Sequence, residues 1–128
     1  MEFPEALRYT KEHEWARIEG NRVVVGITDY AQEELGDVVF VELPQVGTVV
    51  EALGTFGVVE SVKAVSDLYA PVSGTVVQTN TDLEERPELV NASPYGDGWM
   101  IVIEISKPEE LQGLLNATDY QQYIQQES

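Results

Sequence analysis

Short apolar runs separated by turn residues occupy most of this chain and restrict the folds it can adopt. The runs are rich in Val, Phe and Thr, which favours strands over helices. They lie at residues 37–43, 48–51, 55–62, 74–79 and 99–105, separated by Gly, Pro, Ser and Asp. Strands this short and this often interrupted predict a mainly β fold, a sandwich or small barrel of antiparallel hairpins.

Two helices are indicated at the edges of this β pattern. Asp29, followed three residues later by Gln32, resembles a capping box, and Gly36 can supply a left-handed C-terminal stop. These residues predict a short helix between them. Near the end of the chain, Asn116 can cap a C-terminal helix at about 116–126, whose apolar side chains share one face.

A short internal sequence repeat suggests how the strands are arranged. The segment VGTVV at residues 46–50 recurs as SGTVV at residues 73–77. A duplicated strand-turn unit would form a pseudo-symmetric pair of sheets, with a connecting hairpin at about 55–79 exposed at one end. The alternative is that the repeat arose by chance in a chain rich in Val and Thr.

Length and composition limit the chemistry. A chain of 128 residues with 43% hydrophobic residues predicts one domain spanning 1–128 with a real core. Cysteine is absent, which excludes disulfides, thiolate metal sites and a cysteine nucleophile. His13 is the only histidine, so a zinc site or a serine-histidine dyad lacks partners. We therefore expect no catalytic residues and no metal.

The charge balance indicates what the protein contacts. Seven basic and twenty-three acidic residues produce a formal net charge of −16. Such a field repels nucleic acids and anionic membrane surfaces, and no apolar run approaches the roughly 20 residues of a membrane span. Partners are expected to present basic faces. The alternative is that acidity only maintains solubility.

The N-terminus bears on localisation. Its first eight residues, MEFPEALR, form neither an apolar signal core nor an Arg- and Ser-rich, acid-poor transit segment. This pattern predicts a bacterial cytoplasmic protein. A mitochondrial matrix protein whose leader has been removed stays open.

Lys63 is the only Lys or Arg between Val23 and Glu85, a span that also holds eleven Asp and Glu residues. One amine at the turn between two apolar runs is a well-defined acceptor for an acylating enzyme, since no neighbouring lysine competes. Lys63 is therefore a candidate attachment point for a prosthetic arm. The alternative is a surface lysine paired with Glu60 or Asp67, an interaction worth little energy.

The segment around this lysine, ESVKAVSDLYAPVSG at residues 60–74, closely resembles the lipoyl-attachment segment of the glycine cleavage system H proteins. Three further segments are similar to that family's characteristic sequences and follow in the same order. They are KEHEW at 11–15, GITDYAQEELGDVVFVELP at 26–44 and NASPYGDGW at 91–99. The resemblance covers nearly the whole chain.

The resemblance implies a fold, a cofactor and a role. The fold is a barrel-sandwich hybrid of the lipoyl/biotinyl-domain type, and the cofactor is lipoate in amide linkage on Lys63. The implied role is a carrier protein, not an enzyme. The arm receives an aminomethyl group from a pyridoxal-phosphate glycine decarboxylase and delivers it to a tetrahydrofolate-dependent aminomethyltransferase, which releases ammonia. Dihydrolipoyl dehydrogenase then reoxidises the arm with NAD, and a lipoylating enzyme is a fourth implied partner.

Two carboxylates are candidates for shielding the loaded arm. The aminomethyl group at its end is cationic when protonated, so Glu14 or Asp67 could hold it against the protein and protect it from hydrolysis. The alternative is that both are ordinary solvated carboxylates, with Asp67 serving as a turn residue.

Three rival functions are alternatives to this one. In biotin carriers the attachment lysine normally lies between two methionines, whereas Val62 and Ala64 flank Lys63. A lipoyl-bearing acyltransferase needs a large catalytic domain, for which 128 residues have no space. A protein that donates lipoyl groups to other proteins stays open, because that relay also needs only lipoyl-Lys63.

Overall fold

The computed structural model describes residues 1–127, which form nine strands and several short helices. The strands are β1 (Arg8–Tyr9), β2 (Glu14–Glu19), β3 (Arg22–Ile27), β4 (Val38–Glu42), β5 (Val49–Val50), β6 (Thr55–Ser61), β7 (Val65–Tyr69), β8 (Gly74–Thr79) and β9 (Ile101–Ile105). The helices are α1 (Asp29–Leu35), α2 (Asp82–Glu85), α3 (Leu89–Ala92), α4 (Ala117–Glu127) and a 3₁₀ helix at Pro108–Gly113. The predicted mainly β fold with a C-terminal helix is confirmed.

The strands form two antiparallel sheets. The larger sheet has the order β1-β2-β3-β9-β8-β5, and the smaller one has the order β4-β6-β7. Val25 and Ile103 of the larger sheet and Val59 and Leu68 of the smaller one belong to a single buried cluster. Each such side chain contributes about 1.5–3 kcal/mol on burial, so the two sheets are held together by their facing apolar surfaces.

The C-terminal helix covers the other face of the larger sheet. Its Tyr120 is fully buried and stacks on Tyr9, with ring centroids 4.7 Å apart. Asn116 is the N-cap, because its Oδ1 accepts a hydrogen bond from the Asp119 N–H at 2.8 Å. A second cluster that includes Trp15 forms beneath this helix.

The predicted short helix is α1, but its N-cap is Thr28 and not Asp29. Thr28 Oγ1 accepts a hydrogen bond from the Ala31 N–H at 3.2 Å. Asp29 is the first helical residue, and its carboxylate accepts a hydrogen bond from Gln32 Nε2 at 2.7 Å. The predicted stop at Gly36 is found, with a φ of +79°.

The two repeated segments, at residues 46–50 and 73–77, do not lie in separate sheets. β5 and β8 pair with each other inside the larger sheet, with Val49 opposite Thr75 and Val50 opposite Gly74. The hairpin that carries Lys63 consists of β6 and β7, so the boundary predicted at about 55–79 is too long. β7 ends at Tyr69, and Pro71 follows without an N–H that could extend the ladder.

Candidate functional site

Lys63 lies in the turn of residues 62–64 at the tip of the β6–β7 hairpin. The Ser61 N–H donates to the Ala64 carbonyl at 2.8 Å and closes the turn. The side chain of Ser61 is buried, and its Oγ accepts hydrogen bonds from the Lys63 N–H at 3.2 Å and the Ala64 N–H at 3.0 Å. The backbone that presents the lysine is therefore held from inside the turn.

The segment that follows α1 supports the tip from the side. The Val62 N–H donates to the Asp37 carbonyl at 3.0 Å. Gly36 has a φ of +79° and a ψ of −159°, a region that essentially only glycine occupies. A Cβ atom on Gly36 would lie 3.5 Å from Lys63 Cε, so the lysine stem passes directly over this glycine.

Asn91 of α3 fixes this supporting segment. Its Oδ1 accepts a hydrogen bond from the Val38 N–H at 2.8 Å. Its Nδ2 donates to the Gly36 carbonyl at 2.8 Å and to Gln32 Oε1 at 3.0 Å. One amide thus joins α1, β4 and α3 beneath Lys63.

The amine of Lys63 is exposed, and within residues 1–127 it forms no ion pair and no side-chain hydrogen bond. The alternative in which it pairs with Glu60 or Asp67 is therefore not what the structure contains. An unpaired ammonium on a fixed turn is accessible to a modifying enzyme.

A groove of about 330 Å³ runs beside the free edge of β7, next to Lys63. Its floor is apolar and several of its wall residues are acidic. The lining residues are Glu12, His13, Glu14, Ile27, Ala31, Glu34, Leu35, Val59, Ala64, Val65, Ser66, Asp67 and Leu68. A cation attached to an apolar chain fits this combination.

Glu14 is the buried carboxylate of the groove, with an exposed fraction of 2%. Thr10 Oγ1 donates to its Oε1 at 2.7 Å, and the Tyr69 N–H donates to its Oε2 at 3.3 Å. Burial raises the pKa of Glu14 to about 8, although both hydrogen bonds act in the opposite direction. Glu14 is therefore mostly protonated at neutral pH.

Asp67 lines the same groove from β7, so the structure brings both sequence-predicted carboxylates to the space beside Lys63. Its side chain is exposed. Asp67 is a strand residue, which contradicts the alternative that it serves a turn. The strand was missed because VSDLY contains Ser and Asp, two residues typical of turns.

His13, the single histidine of the sequence, lines the groove and is tied to the C-terminal helix. Its Nδ1 lies 2.9 Å from the hydroxyl of Tyr120, and its Nε2 lies 3.2 Å from Glu127 Oε2. Burial lowers the pKa of His13, while the carboxylate of Glu127 acts to raise it. The ring anchors α4 against the loop that leads into Glu14.

Several residues that shape the site were not singled out from the sequence. Ser61 had a local signal, since a serine two residues before the lysine can accept hydrogen bonds from a turn. Asn91 and Thr10 had none, because their roles depend on partners that folding brings together. Among the described residues, no group of three or more His, Asp or Glu is placed to hold a metal ion. None of the helices in residues 1–127 is both long and apolar enough to cross a membrane.

Known proteins are similar to this chain over nearly its whole length. The model of one protein family, described as glycine cleavage H-protein, matches residues 7–127. A glycine cleavage system H protein from Brevibacillus brevis is 56% identical over 126 residues, covering 98% of this chain and all of that protein. One from Geobacillus kaustophilus is 59% identical over 124 residues, covering 97% of this chain and 98% of that protein.

A solved structure agrees with these relatives. The crystal structure of a glycine cleavage system H protein from Mycobacterium marinum superposes with a TM-score of 0.81 at 42% sequence identity. The match covers 91% of this chain and 94% of the other. The similarity therefore extends over most of the fold.

Proposed function

This chain belongs to the glycine cleavage H-protein family, and on that premise we propose that lipoate is attached in amide linkage to Nζ of Lys63. The protein is a lipoyl-bearing shuttle of the glycine cleavage system and not itself a catalyst. The observation that carries the attachment site is the exposed, unpaired Lys63 on a turn fixed by Ser61.

The attachment reaction needs only the amine from this chain. Nζ of Lys63 attacks the carbonyl carbon of an activated lipoyl group, a C–N bond forms, and the bond from that carbon to its leaving group breaks. The ammonium of Lys63 releases two protons overall, and the leaving group departs with the bonding electrons. Because the Lys63 ammonium has no carboxylate partner within residues 1–127, no ion pair must be broken before the reaction.

When bound, lipoate supplies a dithiolane disulfide that is reduced as it accepts an aminomethyl group and is later reoxidised. The chain contributes the reach and the fixed origin of the arm. Extended lysine and lipoyl chains together span on the order of 14 Å, so the cofactor enters a partner's cleft while the protein body stays outside. Tethering replaces a diffusing cofactor with a high local concentration once a partner has docked.

The partners that follow from this role are the pyridoxal-phosphate glycine decarboxylase, the tetrahydrofolate-dependent aminomethyltransferase, dihydrolipoyl dehydrogenase and a lipoylating enzyme. The acidic net charge of −16 supports docking on basic protein faces. The relatives described above come from bacteria, which supports a bacterial cytoplasmic location.

The groove beside β7 is the place where the chain holds a protonated amine carried by the arm. Asp67 and Glu14 line it, and Ile27, Leu35 and Val59 provide apolar surface that excludes water. An ammonium within a few ångströms favours the ionised form of a carboxylic acid. Glu14, mostly protonated in the absence of a nearby cation, therefore releases its proton as the amine arrives and forms an ion pair with it.

Intact mass tests the attachment site. Protein incubated with a lipoylating enzyme and activated lipoate gains the mass of one lipoyl group, and Lys63→Arg abolishes the gain because arginine keeps the charge but cannot form the amide. Lys107→Arg is the matched control and retains the gain. Modification of the Lys63→Arg protein would overturn the assignment.

Reconstitution with the three cleavage enzymes tests the shuttle. The lipoylated protein supports glycine-dependent NADH formation, and the unmodified protein does not. A lipoylated protein that supports none would instead favour the lipoyl-relay role.

A further inference from the structure

The outer face of the three-stranded sheet carries an exposed apolar patch next to Lys63. Phe40 of β4, Val65 of β7 and Val62 of the turn are 50%, 67% and 70% exposed. Phe40 and Val65 lie in one cross-strand row, because each is opposite Glu60 of β6. Large apolar side chains concentrated around one functional residue are characteristic of an interaction surface.

A β-bulge in β4 creates this patch. Val38 is opposite Ser61, but the next pair is Phe40 with Glu60, so Val39 is an extra residue in the ladder. Without the bulge, alternation would turn Phe40 inward. With it, Val39 and Phe40 are both half exposed, while Val38 and Val41 on either side are buried.

Acidic side chains surround the patch. Glu60 lies within the row of Phe40 and Val65, and Glu42 and Asp67 occupy the two outer positions of a neighbouring row, opposite Val58. Val65 and Asp67, on the edge strand β7, also border the groove. Lys63 is the only basic residue between Val23 and Glu85. A complementary surface therefore has an apolar centre and a basic rim.

We propose that this outer face, formed by Val39, Phe40, Val62 and Val65, is the docking surface for the enzyme that acylates Lys63. The proposal rests on the attachment site proposed above. The occupant is an acyl-transferring enzyme whose acyl-binding cleft opens between apolar side chains and is rimmed by Lys or Arg.

Reach distinguishes this enzyme from the others. A lysine side chain extends roughly 6 Å from its backbone, against on the order of 14 Å for the completed arm. The cleft of the acylating enzyme must therefore lie within about 6 Å of the turn backbone. Phe40 is opposite Glu60, three residues before Lys63, which corresponds to roughly 10 Å along a strand. An enzyme whose cleft encloses the Lys63 amine therefore contacts Phe40 with the rim of that cleft. An enzyme that binds only the end of the completed arm does not need to approach Phe40 as closely.

Lipoylation kinetics of the unmodified protein test the assignment. The double variant Val39→Ser/Phe40→Ser is compared with Val46→Ser/Val49→Ser, whose two residues are 61% and 74% exposed at the β5 edge of the larger sheet. We expect the first variant to raise the KM for lipoylation about tenfold with little change in kcat, because binding is lost without altering the chemical step. We expect the control to stay within about twofold of the parent. Restoring an apolar side chain with Val39→Ser/Phe40→Leu should recover part of the lost affinity.

The outcomes separate the docking surface from the attachment site. A parental KM for Val39→Ser/Phe40→Ser, or an equal rise in the control, overturns the docking surface and leaves Lys63 as the acceptor. Modification of Lys63→Arg overturns the attachment site itself. The double variant is also lipoylated to completion and supplied to the cleavage enzymes. A loss of glycine-dependent NADH formation as large as the loss in lipoylation would place a cleavage enzyme on this face and overturn the assignment.

Discussion

The two flanks of the Lys63 hairpin differ in almost every physical property. On the groove flank the carboxylate of Glu14 is buried, hydrogen-bonded and mostly protonated. On the outer flank Val39 and Phe40 are each 50% exposed and belong to neither core cluster. One flank is built to retain a cation, and the other is suited to recruiting a protein. A single amine at the tip can serve both because it has no fixed partner of its own.

The difference also separates stability from recognition. Substitution of the buried groove residue Glu14 changes the free energy of unfolding together with function, since its carboxyl group is desolvated. Substitutions on the outer face affect recognition with little effect on folding, since exposed positions tolerate change. Variants on the two flanks should therefore differ in their effects on folding and on recognition.

The largest expected effect is the pH dependence that Glu14 confers on stability. Its pKa is about 8 in the folded protein against an ordinary value of 4.5, so the folded state holds this proton more tightly. The contribution of Glu14 is complete below pH 4.5 and is lost as the pH rises to about 8. The total change is on the order of 5 kcal/mol, because one pKa unit corresponds to about 1.4 kcal/mol.

Urea unfolding of the parent and Glu14→Gln between pH 5 and pH 8 measures this effect. The difference in unfolding free energy between the two proteins should shift in favour of Glu14→Gln as the pH rises. A difference that stays constant with pH would show that Glu14 is an ordinary ionised carboxylate and that the groove is not desolvating.

Gly57→Ala should disturb both flanks at once. Gly57 lies in β6, the central strand of the smaller sheet, and a Cβ atom there would lie 2.2 Å from the Glu42 carbonyl oxygen. The backbone must move to relieve this contact, so we expect a loss of about 3 kcal/mol in unfolding free energy. Thermal melting checks this value, with Gly113→Ala, an exposed position with no atom within 4 Å, as a control for replacing a glycine. Equal effects in the two variants would mean that the close approach of β4 to β6 is unimportant.

Ser61→Ala tests whether the fixed conformation of the turn contributes to stability and to lipoylation. Ser61 Oγ accepts the N–H groups of Lys63 and Ala64, and losing these bonds should cost about 1–2 kcal/mol. Lipoylation should slow by several-fold, because the amine is no longer presented from one position. Ser61→Thr, which keeps the hydroxyl, should retain most of the rate. A parental lipoylation rate in Ser61→Ala would show that the attaching enzyme orders the turn itself.

Asp67→Asn should have the smallest effect on folding. Its side chain is exposed, so the unfolding free energy should change by less than about 0.5 kcal/mol. The lifetime of the protonated amine on the arm should shorten by about twofold, because a neutral amide replaces one of the groove's carboxylates. Glu51→Asn, at an exposed position outside the groove, is the control. Equal lifetimes in the parent and Asp67→Asn would show that, of the two carboxyl groups, only that of Glu14 holds the protonated amine.

Much of this arrangement can be predicted from local sequence. Most strands, α1, α4 and the position of Lys63 follow from alternation, turn residues and caps, which depend on neighbours in the chain. β7 could not be recognised, because Ser66 and Asp67 interrupt its apolar pattern and its pairing depends on β6. The bulge at Val39 is equally hidden, since the register of β4 is visible only against β6.

The environment of the predicted site residues is the least predictable part. Glu14 becomes buried because Tyr69, distant in the sequence, closes over it with a backbone N–H. Asn91 reaches Val38 across the fold for the same reason. A sequence can indicate such residues as candidates, but their burial and pKa depend on contacts that only tertiary structure creates.

The most direct test places one variant on each flank and measures both functions in both proteins. Glu14→Gln and Val39→Ser/Phe40→Ser are each assayed for the KM of lipoylation and for the lifetime of the protonated amine on the arm. We expect Glu14→Gln to shorten the lifetime and leave the KM within about twofold, and the outer-face variant to raise the KM about tenfold and leave the lifetime unchanged. Parallel changes in both quantities in both variants would contradict the division of the site into a retaining flank and a recruiting flank.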